Sequence, residues 1–251
     1  MSEKKENSTA LTATILSGIF VLLSACIGGI FMVVNTMVDK GIQTEAPTQE
    51  AKSAATQAPA PEVAALPGRQ LLFQDSFTDP ESGWPDSRGE NSYAGYADGR
   101  YVIQVFPAKL DAWGNPGRDF GDVSIEVDAT KYGGTDNNSF GVICRYQDHD
   151  NFYYFLAASD GYQVIGKYQG GENYYLSADK MQSTDVILAG AASNHLRADC
   201  MGSALTLYAN GRQLSSVTDT AFARGDVGLM VGTFDDPNVS VSFDNFAVYE
   251  P

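Results

Sequence analysis

Residues 140–159 read FGVICRYQDHDNFYYFLAAS: two apolar, aromatic-rich runs interrupted by Asp148, His149, Asp150 and Asn151. The interruption admits two readings. Two carboxylates and an asparagine amide are hard oxygen ligands that would suit calcium. The same residue types also form turns, because their side chains bond nearby backbone amides. The run lacks the glycine and the later glutamate of an EF-hand loop. Neither His149 nor His195, the only two histidines, stands at zinc-type spacing from other ligands, and there is no G-x-S-x-G or phosphate-binding loop. The stretch therefore predicts two strands joined by a tight turn. Asp148, Asp150 and Asn151 remain weak calcium candidates, and no other cofactor is expected.

Working outward, the same texture continues. In VSIEVDA, Val123, Ile125 and Val127 share one side while Ser124, Glu126 and Asp128 share the other. LTLYANG places Leu205, Leu207 and Ala209 inward and ends at Asn210-Gly211, a hairpin signal because both positions tolerate positive φ. Ser159-Asp160-Gly161 and Gln169-Gly170-Gly171-Glu172 mark further hairpins of a meander. VSVSF gives Val239, Val241 and Phe243, after which the apolar parity shifts to Phe246 and Val248, as a bulge would require. So many short strands close their edges best as an all-β, two-sheet antiparallel sandwich over residues 71–251.

The chain before this domain has a different character. Residues 11–38 (LTATILSGIFVLLSACIGGIFMVVNTMV) carry no charge. As a helix they would extend about 42 Å at about 1.5 Å per residue, enough to cross a hydrocarbon core of roughly 30 Å. Lys4 and Lys5 precede this span, which favours a short cytoplasmic segment over residues 1–10 and a C-terminal domain outside the cell membrane. LSAC at 23–26 also resembles a lipoprotein cleavage box, but the apolar run continues past Cys26, which favours an uncleaved signal anchor. Residues 39–70, rich in Ala, Pro, Thr and Gln, read as a flexible tether with a root-mean-square span of roughly 30 Å.

The formal net charge is −15, and from Arg69 onward 25 acidic residues face 12 basic ones, a balance of −13. Such a surface repels phosphate backbones, so nucleic acid is not an expected partner.

Read in order, FQDSFTDPESGW, YADGRYVIQV, FGDVSIEVDA, the 138–169 meander, NHLRADCMGSALTLYANGRQL and GDVGLMVGTFDDPNVSVSFDNFAVY resemble the concanavalin A-like lectin/glucanase superfamily. The likeness is to jelly-roll domains of the laminin-G and keto-disaccharide-hydrolase type. It implies a jelly roll and leaves activity open, because binding modules and glycoside hydrolases share that scaffold. Laminarinase-like members carry an E-x-D-x-x-E strand whose two glutamates act as nucleophile and acid. Here Glu126 and Asp128 match its first half, but Lys131 stands in place of the second glutamate.

The expectation is a membrane-tethered extracytoplasmic module that binds carbohydrate or a surface glycan without catalysis. Two alternatives stand beside it. One is a glycoside-processing hydrolase drawing carboxylates from Glu126, Asp128, Asp148, Asp150, Asp235 and Asp236. The other is a protein-interaction or sensory ectodomain. Aromatic rings that stack on sugars would form a binding site; the candidates are Trp84, Tyr93, Tyr96, Trp113, Tyr132, Tyr146, Tyr153, Tyr162, Tyr168, Tyr174 and Tyr175, of which Trp113, in the Gly/Pro-rich loop AWGNPG, is singled out together with Arg145 and Tyr153 on the meander. Cys144 and Cys200 are the only cysteines of the domain and each shares parity with apolar neighbours. In an oxidising compartment this predicts a disulfide, the other reading being two buried thiols.

Overall fold

The computed structural model describes residues 68–251. The expected cytoplasmic segment, the membrane span with Cys26 and almost all of the tether lie outside the described residues. Among those described, no helix is long and apolar enough to cross a membrane.

The described chain is all-β. Its strands are β1 (Leu71–Asp75), β2 (Ser87–Arg88), β3 (Ser92–Ala97), β4 (Arg100–Val105), β5 (Asp111–Gly114), β6 (Val123–Gly133), β7 (Asn138–Asp148) and β8 (Asn151–Ala157), followed by β9 (Tyr162–Gln169), β10 (Glu172–Tyr175), β11 (Gln182–Ser183), β12 (Ser193–Met201), β13 (Ala204–Ala209), β14 (Arg212–Thr218), β15 (Asp226–Thr233) and β16 (Val239–Tyr249). A nine-stranded sheet runs β14-β13-β12-β6-β16-β4-β3-β2, with β1 also on β16. A seven-stranded sheet runs β10-β9-β8-β7-β15-β5, with β11 also on β9. All pairings are antiparallel. The result is a jelly-roll-like sandwich.

Strand parity decides which side chains fill the space between the sheets. Val123, Ile125 and Val127 meet Phe140, Val142, Phe155 and Leu229 in one core, and Phe243, Phe246 and Val248 join it from β16. Each large apolar side chain fully buried there contributes about 1.5–3 kcal/mol. The parity change in β16 is a register shift between Asp244 and Ala247, with Asn245 at φ 53°. Without that bulge, Phe246 and Val248 would face solvent. Cys144 of β7 and Cys200 of β12 form a disulfide with Cα atoms 6.9 Å apart. Because β7 and β12 belong to different sheets, the bond bolts the sandwich through its core.

The opening stretch is a hairpin. Asp148 pairs with Asn151 across the β7–β8 turn, and the Asp148 carboxylate accepts the Asp150 backbone amide at 2.9 Å and the Asn151 side-chain amide at 2.8 Å. The meander β7-β8-β9-β10 follows in sheet order, turning at Gly161 and Gly170-Gly171.

Candidate functional site on the seven-stranded sheet

Both parities of NFYYFLA in β8 are apolar. Tyr153, Phe155 and Ala157 enter the main core, while Phe152, Tyr154 and Leu156 emerge on the sheet's outer face. There they meet Ile143 of β7, Val164 of β9 and Met230 of β15, with Trp113, Tyr146, Tyr168 and Met181 packed against them. The rings touch in sequence: Trp113 to Phe152 at 5.3 Å between centroids, Tyr146 to Phe152 at 5.5 Å, and Phe152 stacked on Tyr168 at 5.0 Å. An outer face of this kind does not fit a merely solvated sheet surface, which would alternate to polar side chains.

The face is also concave. The Tyr168 hydroxyl donates to the Asp111 carboxylate at 2.8 Å, although β9 and β5 are separated by β8, β7 and β15. Four strand spacings amount to about 19 Å on a flat sheet, farther than a tyrosine and an aspartate together reach. The sheet must therefore curl and twist to bring the two ends together. Glycines leave the room on this face. A Cβ at Gly232 would come within 2.1 Å of an Asp111 carboxylate oxygen, and one at Gly166 would overlap the Tyr154 ring.

The hollow so formed is a cavity of about 310 Å³, at the lower end of the range for small-molecule sites. Leu156, Val164 and Met230 give it an apolar floor, and Tyr154 and Tyr175 line it with rings. Asp111, Ser139, Asn173, Lys109 and Asp235 supply polar groups. The Tyr154 hydroxyl donates to the Asn173 side-chain oxygen. Burial pushes the Asp111 carboxyl above its ordinary pKa, with the Tyr168 hydrogen bond working the other way. Lys109 lies 3.2 Å from Asp235 with both side chains in solvent. An apolar floor, aromatic walls and a few oriented hydrogen-bonding groups suit a small polar ligand that also presents C–H faces.

The residues singled out from sequence are placed unequally. Trp113 lies in strand β5 rather than in a loop and belongs to the outer aromatic row, against Phe152. Arg145 and Tyr153 are interior instead of ligand-facing, with 2% and 0% exposure. Arg145 has φ 52° within the β7 irregularity, which turns it inward out of its strand parity. Its guanidinium donates to the carbonyls of Gly202 and Phe222, each at 2.8 Å, and to Asp122 at 2.9 Å. The Tyr153 hydroxyl bonds Asp219 and receives the Phe222 amide; burial and then the Asp219 bond push its pKa up to about 12. These two side chains pin the 219–222 loop onto the core.

The carboxylates separate in the same way. Asp148, His149 and Asp150 could offer ligand atoms within 4.8 Å of one another, at an exposed turn whose Asp148 carboxylate already holds the hairpin. Glu126 and Asp128 project from the nine-stranded sheet, on the opposite outside of the molecule from the cavity. Glu126 bonds Arg69 at 2.6 Å; Asp128 bonds His195 at 2.8 Å and Asn245 at 2.9 Å. Lys131 bonds Asp136 and the Gly134 carbonyl. Sequence reading passes over Asp111, Tyr154 and Asn173. The signal that could have found Tyr154 is the unbroken apolar run of β8, too apolar for a strand with one wet face.

No protein-family model and no curated protein matches the chain. Among solved structures, it is similar to the carbohydrate binding module CBM66 from Bacillus subtilis, with a TM-score of 0.53 and 18% identity over 67% of this chain and 96% of that one. It is similar to the Bacillus licheniformis beta-glucanase, with a TM-score of 0.51 and 10% identity over 71% and 97%. A third likeness is to the catalytic domain of an endo-1,3-beta-glucanase (laminarinase) from Thermotoga petrophila, with a TM-score of 0.51 and 11% identity over 72% and 98%. At these identities the likeness establishes the fold alone, a two-sheet jelly roll of the kind seen in these structures.

Proposed function

We propose that the domain is a non-catalytic carbohydrate-binding module, held outside the cell by the apolar segment 11–38 and its tether. The observation that carries this reading is the concave outer face of the seven-stranded sheet. Its 310 Å³ cavity combines the Tyr154 and Tyr175 rings with Asp111 and Asn173. Sugar rings present C–H faces that pack on aromatic side chains and hydroxyls that bond carboxylates and amides, so this lining matches their chemistry. The carbohydrate binding module and the glucanases similar in fold support the same class of ligand.

A glycan array probed with the protein tests the reading, with Tyr175→Ala, at an exposed ring of the lining, as the control variant. Binding to one glycan family, lost in Tyr175→Ala, is the expected outcome. Absence of binding to any glycan would overturn it. The membrane tether has its own test, release of the domain from intact cells by external protease.

A second reading, glycoside hydrolysis, draws on one observation: two carboxylates, Asp111 and Asp235, line the same cavity, and Asp111 is held toward its protonated form. Such a pair is what acid-assisted glycosidic cleavage uses. Binding without cleavage is preferred because the Asp235 side chain stands in solvent, paired with Lys109 at 3.2 Å, and is not held in the cavity. Product release from a bound glycan, abolished by Asp111→Asn, would reverse that preference.

A further inference from the structure

Beside the first cavity, a second hollow of about 370 Å³ opens along β10, lined by Asn173, Tyr174, Tyr175 and Asp179. Asn173 and Tyr175 line both hollows, so the two adjoin across these residues. The strand between them is an edge of the sheet, and all four of its residues are exposed. Tyr175 pairs with Gly166 and rises on the outer face beside Tyr154, while Tyr174 pairs with Lys167 and takes the other parity. At an edge both parities reach solvent, which lets two successive tyrosines line one hollow. Their exposures are 47% for Tyr174 and 38% for Tyr175. Edge strands are normally blunted with charge or proline; this one carries a single charge, Glu172, and then presents an amide and two exposed rings.

We propose that the ligand is a run of uncharged glycan chain bound along its length, with at least one sugar unit in each hollow and Tyr175 between them. This rests on the carbohydrate reading of the first cavity and extends it. Charge selects the class of chain. Asp179 and Asp235 line the two hollows, with Asp111 adding charge where it is ionised, against Lys109 alone, which already faces Asp235. A uronate, sulfated or phosphate-bearing chain would meet like charge there, and like-charge juxtaposition is an effective means of exclusion. A terminal sugar held in the first cavity alone would leave the Tyr174 ring and the Asp179 carboxylate unused.

The test is a length series. The full-length protein, in a detergent without a sugar headgroup, is titrated with linear oligosaccharides of one to six units. The series covers β-1,3-glucose, β-1,4-glucose, β-1,4-xylose and β-1,4-N-acetylglucosamine, with oligogalacturonate as the anionic comparison. For a backbone that binds, Kd is expected to fall about tenfold or more between the shortest bound length and two units beyond it, and then to level off. Tyr174→Ala should remove most of that gain while leaving the shortest bound length within about twofold. Asp111→Asn should weaken every length. Affinity independent of length, equal loss at all lengths in Tyr174→Ala, or preference for oligogalacturonate would overturn the inference while leaving a single-unit carbohydrate site standing. No binding at any length or charge would overturn the carbohydrate reading itself, and this inference with it.

Discussion

The two outer faces of the sandwich are built from the same strand alternation and end in opposite conditions. On the nine-stranded sheet the outward charged side chains pair with one another: Arg69, ahead of β1, with Glu126 of β6, His195 of β12 with Asp128 of β6, and Arg197 with Asp199 within β12. On the seven-stranded sheet the outward side chains are aromatic, and the charged group among them, Asp111, is partly desolvated with one tyrosine hydroxyl as its partner. The first face uses its polar groups for folding. The second keeps a carboxyl where burial disfavours its charge and leaves the Tyr175 ring 38% exposed beside a cavity, a cost to stability that a bound ligand would offset.

The comparison yields predictions that separate stability from binding. The largest effect concerns what both faces share. Replacing Cys144 and Cys200 by serine removes a link closing 56 residues, which should cost about 4 kcal/mol in the chain-entropy account. Chemical denaturation would measure it; a loss below about 1 kcal/mol would mean that the core alone holds the sheets in register.

Next comes Arg69→Ala. It leaves Glu126, whose side chain is nine-tenths buried, with only His195 at 3.8 Å. Stranding a buried carboxylate costs several kcal/mol, reduced here by that neighbour to about 2 kcal/mol. Glycan affinity should not change. If it does, the faces are coupled and the division between them fails.

Asp111→Asn should do the reverse. Its folded pKa is raised, so Asp111 contributes favourably while protonated, and that contribution is lost as pH rises through the folded value. At neutral pH the asparagine variant should melt at the same temperature or higher, with affinity about tenfold weaker. A lower melting temperature with unchanged affinity would assign Asp111 to the scaffold.

The smallest effect is the pH dependence of the other face. The hydrogen bond to Asp128 holds His195 above its ordinary pKa. For Asp128, burial acts upward, but the bonds from His195 and Asn245 outweigh it and the pKa is lowered. The histidine contribution is full below about pH 6.5 and is lost as pH rises through its raised value; the aspartate contribution is present above about pH 3.9 and is lost as pH falls. Stability from the pair should therefore peak between about pH 4 and 6.5, by less than about 1 kcal/mol after solvent screening. His195→Asn should flatten the alkaline limb of the stability profile.

The scaffold was legible because it depends on local rules. Alternation in VSIEVDA, the Asn210-Gly211 turn and the parity change before Phe246 are read within a few residues, and the structure realises each of them. The disulfide was legible because both cysteines share the parity of core residues. The site depends on distance. Asp111, Tyr154, Tyr168 and Asn173 come from β5, β8, β9 and β10 and meet only because the sheet curls. Arg145 misleads for another reason: one residue in the left-handed region inverts the parity that assigns its face, and nothing in RYQDHDN marks it as that residue.

The most direct measurement of the central claim is titration of an uncharged oligosaccharide panel into three proteins: the wild type, Tyr175→Ala with Asp111→Asn, and Glu126→Gln with Asp128→Asn. The account predicts that the second protein loses binding and keeps its fold, while the third is less stable and binds as the wild type does. Binding that survives in the second protein and disappears from the third would place the ligand on the opposite sheet and contradict it.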